Sequence, residues 1–470
     1  MIFLILLVSL ILRLITLNQS LWLDESINVL AGKSLSFWQF VSSYPIGDFH
    51  PPLYFGILWI WERLFGYSEI SVRFPSVILG VASVYLTYLL GKELFSKKVG
   101  LVSAWLTALG PILVFYSQEA RMYSLSVFAA VLSFYFFTKL LKDKKFLLPF
   151  ALSVLLVLYS EYLTYLILPA EFLSALVFNK KKWREVLLGM VIGALPFIPW
   201  LLVFPKQLSS GIQTSHNVPG WAKVVGQSSF KELALVFVKG IIGRVSFANK
   251  TTYGLVVLIV GFFYGLTVWK LWKKFNDQIK MLTIWIVAPL LVAFLVSFAI
   301  PILSYFRMIY VLPILYVLVA RGLEEMSGKY YKITLGVLVS VSLISLVAYY
   351  LNPNFQREDW KDLSKFLNNQ ASSQNLVVFE NNNLPAPYQY YDSGRVQSVG
   401  GLSKFPASST ADVINLAKQT QGKDKIFLVD YLVEISDPKR SIDRELTQIG
   451  FKVNKVDNFP GVGLVYEYER

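Results

Sequence analysis

Along residues 1 to 351, apolar runs alternate with short polar connections, and beyond Tyr350 that pattern stops. Runs long enough to cross the roughly 30 Å hydrocarbon layer of a bilayer lie at 1 to 17, 72 to 91, 99 to 116, 122 to 141, 146 to 160, 163 to 178, 186 to 204, 252 to 271, 281 to 300, 307 to 323 and 331 to 351. They predict about eleven transmembrane helices. The count turns on Ser160 and Glu161, which alone interrupt 146 to 178, and on 230 to 247, which is apolar enough to dip into the membrane. The stretch PPLYFGILWIWERLFG (51 to 66) carries Glu62 and Arg63 with tryptophans near its polar end, and predicts a helix lying in the interface. Counting it as a span would reverse the side of every later connection. Residues 205 to 250, with their Gly, Ser, Gln and Asn, read as a long outer loop with room for one more interfacial helix. The opening MIFLILLVSLILRLITL has no basic start and no small-residue cleavage site after it, so it is expected to be a retained first span.

Lysine and arginine collect in KELFSKK (92 to 98), KDKK (142 to 145), NKKKWRE (179 to 185), KLWKKFNDQIK (270 to 280) and RGLEEMSGKYYK (321 to 332). These are alternate connections, and the basic bias of cytoplasmic loops places them inside. By parity Asp24, Gln118, Glu161, Arg307 and everything after Tyr350 are expected on the outer face of the cytoplasmic membrane. In that last part NLVVFE (375 to 380), KIFLVD (425 to 430) and VGLVYEYE (462 to 469) predict strands, while DLSKFLNN and SIDRELTQIG predict helices. The expected organisation is a polytopic α-helical membrane domain over 1 to 351 and a small extracytoplasmic α/β domain over 352 to 470.

Composition sharpens this picture. A chain of 470 residues that is 55% hydrophobic and 16% charged, with mean hydropathy +0.53, is far more apolar than a soluble domain. The formal charge of +14 lies in clusters between apolar runs, which is membrane topology and not a polynucleotide groove, so membrane lipids and no nucleic acid are the expected partners. With no cysteine there is no disulfide and no thiolate metal site, and two histidines, His50 and His216, argue against zinc.

Candidate chemistry gathers on the expected outer side. Asp24 and Glu25 follow the first span. Taken alone they read equally well as a solvated helix start, with Asp24 as N-cap of INVLAGK. FHPPLYF (49 to 55), SVRFPS (71 to 76), YSQEARMYSL (116 to 125) and SYFRMIYVLPILYVLVARGL (304 to 323) add His50, Arg73, Glu119, Arg121, Tyr123 and Arg307 at the same level. Each singly suits an interfacial anchor. Together they suit a reaction at a lipid-borne phosphate, where cations and donors stabilise the departing charge and a carboxylate takes a proton from an attacking hydroxyl. One base suffices for direct displacement, unlike the paired carboxylates of glycosidases. There is no P-loop or dinucleotide fingerprint, so the energy must come with the substrate.

SLWLDE, HPPLYF, SEISVRFPS, YSQEARMY and FRMIYVLPILYVLVARGL, with REDWKDLSKFL (357 to 367), resemble the GT-C fold glycosyltransferases, in particular bacterial relatives of dolichyl-phosphate-mannose protein mannosyltransferase and of the lipid A aminoarabinose transferase. The likeness is densest over 10 to 140 and returns near 300 to 323. It implies an inverting glycosyltransferase that moves a sugar from a polyprenyl phosphate to a protein, lipid or polysaccharide acceptor. By the same resemblance Asp24 is the catalytic base with Glu25 beside it. His50, where many relatives carry lysine, and Arg307 meet the donor phosphate, while Glu119, Arg121 and Tyr123 shape the donor pocket or position the acceptor. Arg13 and Arg73 match recurrent arginines expected to be structural, pairing with carboxylates or headgroups. No cofactor is required; a divalent cation shared by Asp24 and Glu119 is compatible with the set but demanded by neither spacing nor ligand type. Two rival readings are a transporter or flippase of lipid-linked sugars, which calls for half-repeats and polar breaks near the midplane, and a non-catalytic scaffold.

Overall fold

The computed structural model describes residues 1 to 218 and 229 to 470, in two compact units. The first, mostly helical, holds Met1–Leu17, Leu35–Gln213 and, among the described residues, 229 to 351. The second holds Asn18–Ser34, a short piece beginning at Thr214, and Asn352–Arg470. The segment carrying Asp24 and Glu25 therefore groups with the C-terminal part of the chain.

In the first unit every predicted apolar run is helical. Among the described residues seven helices have the length and composition to cross a bilayer: Glu69–Leu94, Tyr123–Lys142, Trp183–Leu201, Lys250–Lys270, Asp277–Val296, Tyr305–Glu324 and Gly328–Leu351. An eighth candidate is the pair Lys97–Leu109 and Pro111–Ser117, bent by 61°. Pro111 lacks the N–H that would continue the helix, and a side chain on Gly110 would crowd the Tyr316 hydroxyl at 3.0 Å. Ile2–Leu14, Leu147–Ser160 and Tyr162–Phe178 are shorter, so fewer helices than the expected eleven qualify on length. Side chains of Ser68, Ser96, Asn249 and Asn276 accept first-turn amide protons and fix where their helices begin.

Small residues allow close crossing. A Cβ on Gly91 would lie 2.9 Å from the Gly100 Cα, so Glu69–Leu94 and Lys97–Leu109 meet backbone to backbone. Arg13, buried in the first helix, donates to Ser117 Oγ (3.1 Å), Ser9 Oγ (2.7 Å) and the Ala108 carbonyl (3.2 Å). These partners are hydroxyls and carbonyls, in place of the carboxylates or headgroups that the resemblance implies. Arg73 donates to the Leu17 carbonyl at 2.9 Å.

The basic connections meet at one end of this unit. Glu93 pairs with Lys139 and Lys142, Lys144 with Glu185, and Lys274 with Glu325, while Ser96 donates to Glu324. Such exposed pairs add little stability, about 0 to 1 kcal/mol each, but they join all five lysine-rich segments. Leu53–Phe65, at 13 residues, is too short to cross. Its Glu62 is buried, while Arg63 lies over the Trp59 ring at 3.4 Å. The loop expected over 205 to 250 is largely helical where described, as Phe204–Asn217 and Phe230–Ile242, the latter capped by Ser229; residues 219 to 228 of that expectation lie outside the described residues.

The second unit is built on a five-stranded sheet ordered β2-β1-β3-β5-β4, with β1 Asn375–Phe379, β2 Gln397–Gly400, β3 Lys425–Val429, β4 Lys452–Phe459 and β5 Gly463–Glu469. The first three are parallel, and β5 joins antiparallel to β3 and β4. Period-two alternation feeds two cores. Val377, Phe379, Phe427 and Val429 pack with Trp360, Leu363 and Leu367 on one face, and Leu376, Val378, Ile426 and Leu428 pack with Ile442 and Leu446 on the other. Leu23, opening the helix Leu23–Ser34, packs on the first core.

Candidate functional site

In the first unit the candidates come from connections at the end of the helices remote from the basic pairs. Tyr44–Asp48 ends in Phe49, held in the left-handed region at φ 67°. That turn places Asp48 against His50, with 2.6 Å from Oδ1 to Nδ1. Arg121, just before the helix Tyr123–Lys142, donates from Nη1 to the other Asp48 oxygen at 2.8 Å. Gln207 Nε2 locks the turn by donating to the Pro45 and His50 carbonyls at 2.6 and 3.2 Å. His50 and Arg121 are 6% and 3% exposed, so this array is buried.

Burial favours a neutral Asp48, but the Arg121 guanidinium and His50 outweigh it and hold the carboxyl down to about 2. Burial wins at His50, assisted by Arg121 and Arg307, and pushes the imidazole down to about 4 despite Asp48. At neutral pH His50 is therefore uncharged, and Arg121 is the cation that keeps Asp48 ionised. An ionised Asp48 takes the imidazole proton on Nδ1, which leaves Nε2 as an acceptor.

Arg307 opens the turn Tyr305–Val311 before its long helix and acts electrostatically on both His50 and Glu161. Its Nη1 makes one long contact, 3.5 Å to the Ile302 carbonyl, and its buried Nε has no partner. Burial raises Glu161 to about 7, with Arg307 and three backbone amides opposing. Tyr123 sits in an aromatic group, its ring 4.8 Å from Tyr116 and 5.7 Å from Phe306. Glu119 is buried within electrostatic reach of Tyr116 and of Arg244, whose guanidinium lies 4.8 Å over Phe115. The structure thus brings His50, Arg121 and Arg307 into one electrostatic group and sets Glu119 and Tyr123 beside Tyr116.

Asp24 and Glu25 belong to the second unit. The helix Leu23–Ser34 begins before Asp24, so both carboxylates occupy its first turn, favoured by the helix dipole, and Asp24 is not the N-cap that the alternative reading, a solvated helix start, would make it. Glu25 is fully buried, and the Trp22 N–H approaches its Oε2 at 3.4 Å. The approach to this helix is held by the chain after residue 351. Arg357 N–H donates to Gln19 Oε1 (3.0 Å), Lys361 N–H to Ser20 Oγ (3.0 Å), and Leu21 N–H to the Tyr391 hydroxyl (2.9 Å). Glu358 receives the Leu23 amide, Trp360 Nε1 at 2.8 Å and the Tyr431 hydroxyl at 3.1 Å. Burial, with Asp24 repelling, raises Glu358 to about 7 against those bonds. Glu358 and Asp24 are therefore in electrostatic contact, and the Asp24 carboxylate is one of the groups that raise Glu358.

Asp48, Gln207, Arg244 and Glu358 were not singled out from sequence. Asp48 had a local signal, a carboxylate two residues before His50; the other three acquire partners only through packing. Among the described residues no group of three His, Cys, Asp or Glu side chains is arranged to hold a metal ion.

Residues 49–203 match the family model described as dolichyl-phosphate-mannose-protein mannosyltransferase. Two Bacillus subtilis (strain 168) proteins provisionally named as mannosyltransferases are similar in sequence: YycA, 29% identical over 207 residues, and YkcB, 26% identical over 241. These matches cover 40% and 45% of this chain but only 30% and 33% of those proteins, so the chain spans about a third of their length. Among solved structures, ArnT from Cupriavidus metallidurans bound to undecaprenyl phosphate superimposes with a TM-score of 0.61 at 12% identity, covering 99% of this chain and 97% of that one. The Archaeoglobus fulgidus oligosaccharyltransferase tethered with an acceptor peptide gives 0.55 at 12% identity, covering 99% and 73%. At such identities the structural likeness establishes the fold. The chain therefore has the GT-C fold of these structures, and within its membrane unit residues 49–203 are similar to the mannosyltransferase family model.

Proposed function

We propose that this protein is an inverting glycosyltransferase of the outer face of the cytoplasmic membrane, taking a sugar from a polyprenyl phosphate. The observation that carries the reading is the grouping of Arg121 and Arg307 about His50, with Asp48 between His50 and Arg121, at the helix ends remote from the five joined basic connections. An Arg307 guanidinium with an unpartnered Nε and one long carbonyl contact is suited to a phosphate that arrives with the donor. The basic connections at the opposite ends support an outer location for this group, and the basic segment 321 to 332, at the start of the last long helix, Gly328–Leu351, supports an extracytoplasmic location for the chain that follows it.

In the proposed reaction Asp24 accepts the proton of the acceptor hydroxyl as its oxygen attacks the anomeric carbon. The bond from that carbon to the phosphate oxygen breaks, and polyprenyl phosphate leaves with the electron pair. Arg307 stabilises the growing phosphate charge, the arriving phosphate raises the His50 pKa so that the imidazole takes up a proton at Nε2 and donates a hydrogen bond from it to a phosphate oxygen, and Glu119, Arg121 and Tyr123 shape the donor pocket. Glu25 supports the turn that presents Asp24. A single in-line displacement inverts the anomeric centre, and one base is enough because a phosphate departs without an acid to protonate it, whereas a glycosidase must protonate its leaving oxygen. The acceptor is a protein, lipid or glycan hydroxyl, and no cofactor enters the steps.

Purified protein given polyprenyl-phosphate sugars and a membrane-envelope extract as acceptor should release polyprenyl phosphate. Asp24→Asn should abolish release while the protein still inserts and keeps its fold. Full activity in that variant would remove Asp24 from the mechanism, and no release by the unaltered protein with any such donor would sink the transfer reading.

A further inference from the structure

The second unit contains a recess that the proposed reaction does not use. It has a volume of about 340 Å³, within the range of small-ligand sites. One wall is a single face of the helix Trp360–Asn369, presenting Lys361, Ser364, Lys365 and Asn368 at helical spacing, while Trp360, Leu363 and Leu367 of the same helix point into the core. The facing wall is Tyr391, Ser393 and Arg395, on the way into β2.

Its chemistry is one-sided. Lys361, Lys365 and Arg395 line it, and no carboxylate does. Asp392, the nearest acid in sequence, is turned to the Gly394 amide (3.0 Å) and to Tyr388. Ser393 donates to Asn368 Oδ1 at 2.8 Å, which ties the two walls together and leaves the Asn368 amide N–H groups as donors. Ser364 is 2% exposed, and its hydroxyl has no partner, an unmade hydrogen bond that a ligand would complete. Three cations, Lys361 and Lys365 on one wall and Arg395 on the other, with an amide donor and an orphan hydroxyl, match an acceptor-rich anion. The charge is local, because the domain as a whole is close to balanced.

Position adds meaning to charge. Lys361 Nζ donates to the Asn18 carbonyl at 3.1 Å, and the Tyr391 hydroxyl takes the Leu21 amide. Two of the lining residues thus hold the segment leading to Asp24, and Leu21 is three residues, at most about 10 Å of chain, from it. We propose that this recess binds a phosphoryl group carried on a glycan, and that such a phosphorylated glycan is the acceptor. The binding half of this stands alone; the word acceptor rests on the glycosyl-transfer reading.

The test uses the full chain in detergent. Titration with mannose 6-phosphate and glycerol 1-phosphate should give saturable binding, with unphosphorylated mannose giving none. Lys365→Gln combined with Arg395→Gln should weaken it about ten-fold or more, since each removes a charge-assisted hydrogen bond. Lys452→Gln, on the outlying strand β4, should leave it unchanged. Ser364→Ala should weaken it while hydrogen exchange of the helix stays as before. Absence of saturable binding, equal binding by the double variant, or binding only to phosphatidylglycerol nanodiscs would each overturn the proposal, the last by assigning the recess to lipid headgroups. In the transfer assay the double variant should raise the acceptor KM and leave kcat nearly unaltered. Sugar-phosphate binding without any transfer would refute the transfer reading alone, whereas transfer with an unchanged acceptor KM would refute the acceptor assignment alone.

Discussion

Replacing Asp48 by asparagine changes one atom and should reverse the hydrogen-bonding sense of His50. The carboxylate has two acceptor oxygens, one facing His50 Nδ1 at 2.6 Å and one facing Arg121 Nη1 at 2.8 Å. Asparagine has one acceptor and one donor. Arg121 cannot accept, so the amide oxygen must stay with it and the NH2 must turn to the imidazole. His50 then becomes the other tautomer, accepting at Nδ1 and presenting an Nε2–H where the unaltered protein presents a lone pair. The lost carboxylate also carries stability. Its folded pKa of about 2 lies below the ordinary 3.8, a difference of about 2 kcal/mol. Because the shift is downward, that contribution is present in full above about pH 4 and is lost as pH falls through about 2. The chain has only two histidines, His50 and His216, so nitrogen-15 labelling of histidine gives a readable spectrum, with His216→Gln providing the assignment. The unaltered protein should show His50 as the Nδ1–H tautomer, titrating near pH 4; Asp48→Asn should show the Nε2–H tautomer and unfold more readily at pH 7. The same tautomer in both proteins would refute the orienting role of Asp48, and a His50 titration near the ordinary 6.5 would refute the dominance of burial.

Other outcomes follow from the same geometry. Glu380, fully buried at the end of β1 beside Asp430 and Asp437, is raised to about 9, chiefly by burial. Its cost to stability is absent below pH 4.5 and grows to about 3 kcal/mol at pH 7, so Glu380→Gln should slow hydrogen exchange in β1 and β3 at pH 7 and not at pH 4. Gly91→Leu should disrupt the crossing with Gly100, by about 1 to 3 kcal/mol or more, and lower the yield of folded protein. Gly254→Ala, with nothing within 4 Å, should change stability by no more than about 1 kcal/mol. If the reaction needs no divalent ion, EDTA should leave the release of polyprenyl phosphate within about two-fold, far from the loss expected on removing a catalytic metal.

Much of the helical unit was legible in the sequence. A bilayer demands long apolar stretches with satisfied backbones, and lysine-rich connections alternate with the others, so a one-dimensional pattern carries the helices and tells which connections share an end. The ion pairs from Glu93 to Lys142, Lys144 to Glu185 and Lys274 to Glu325 join the segments that this pattern had grouped. In the second unit the strands β1, β3 and β5 were visible because burial gives them apolar residues. The edge strands β2 and β4 were not, since an outlying strand is largely exposed and its polar side chains resemble a loop.

Sequence alone determined the helices and the likeness to the GT-C enzymes, and it proposed a set of candidate residues, because each is written in local composition and spacing. Only the tertiary structure decided that Asp48 stands between His50 and Arg121, that Glu358 receives the amide opening the helix of Asp24, and that Lys365 and Arg395 face one recess. Those relations join residues far apart in the chain or turn on the conformation of a single backbone residue, Phe49, and no local preference specifies either.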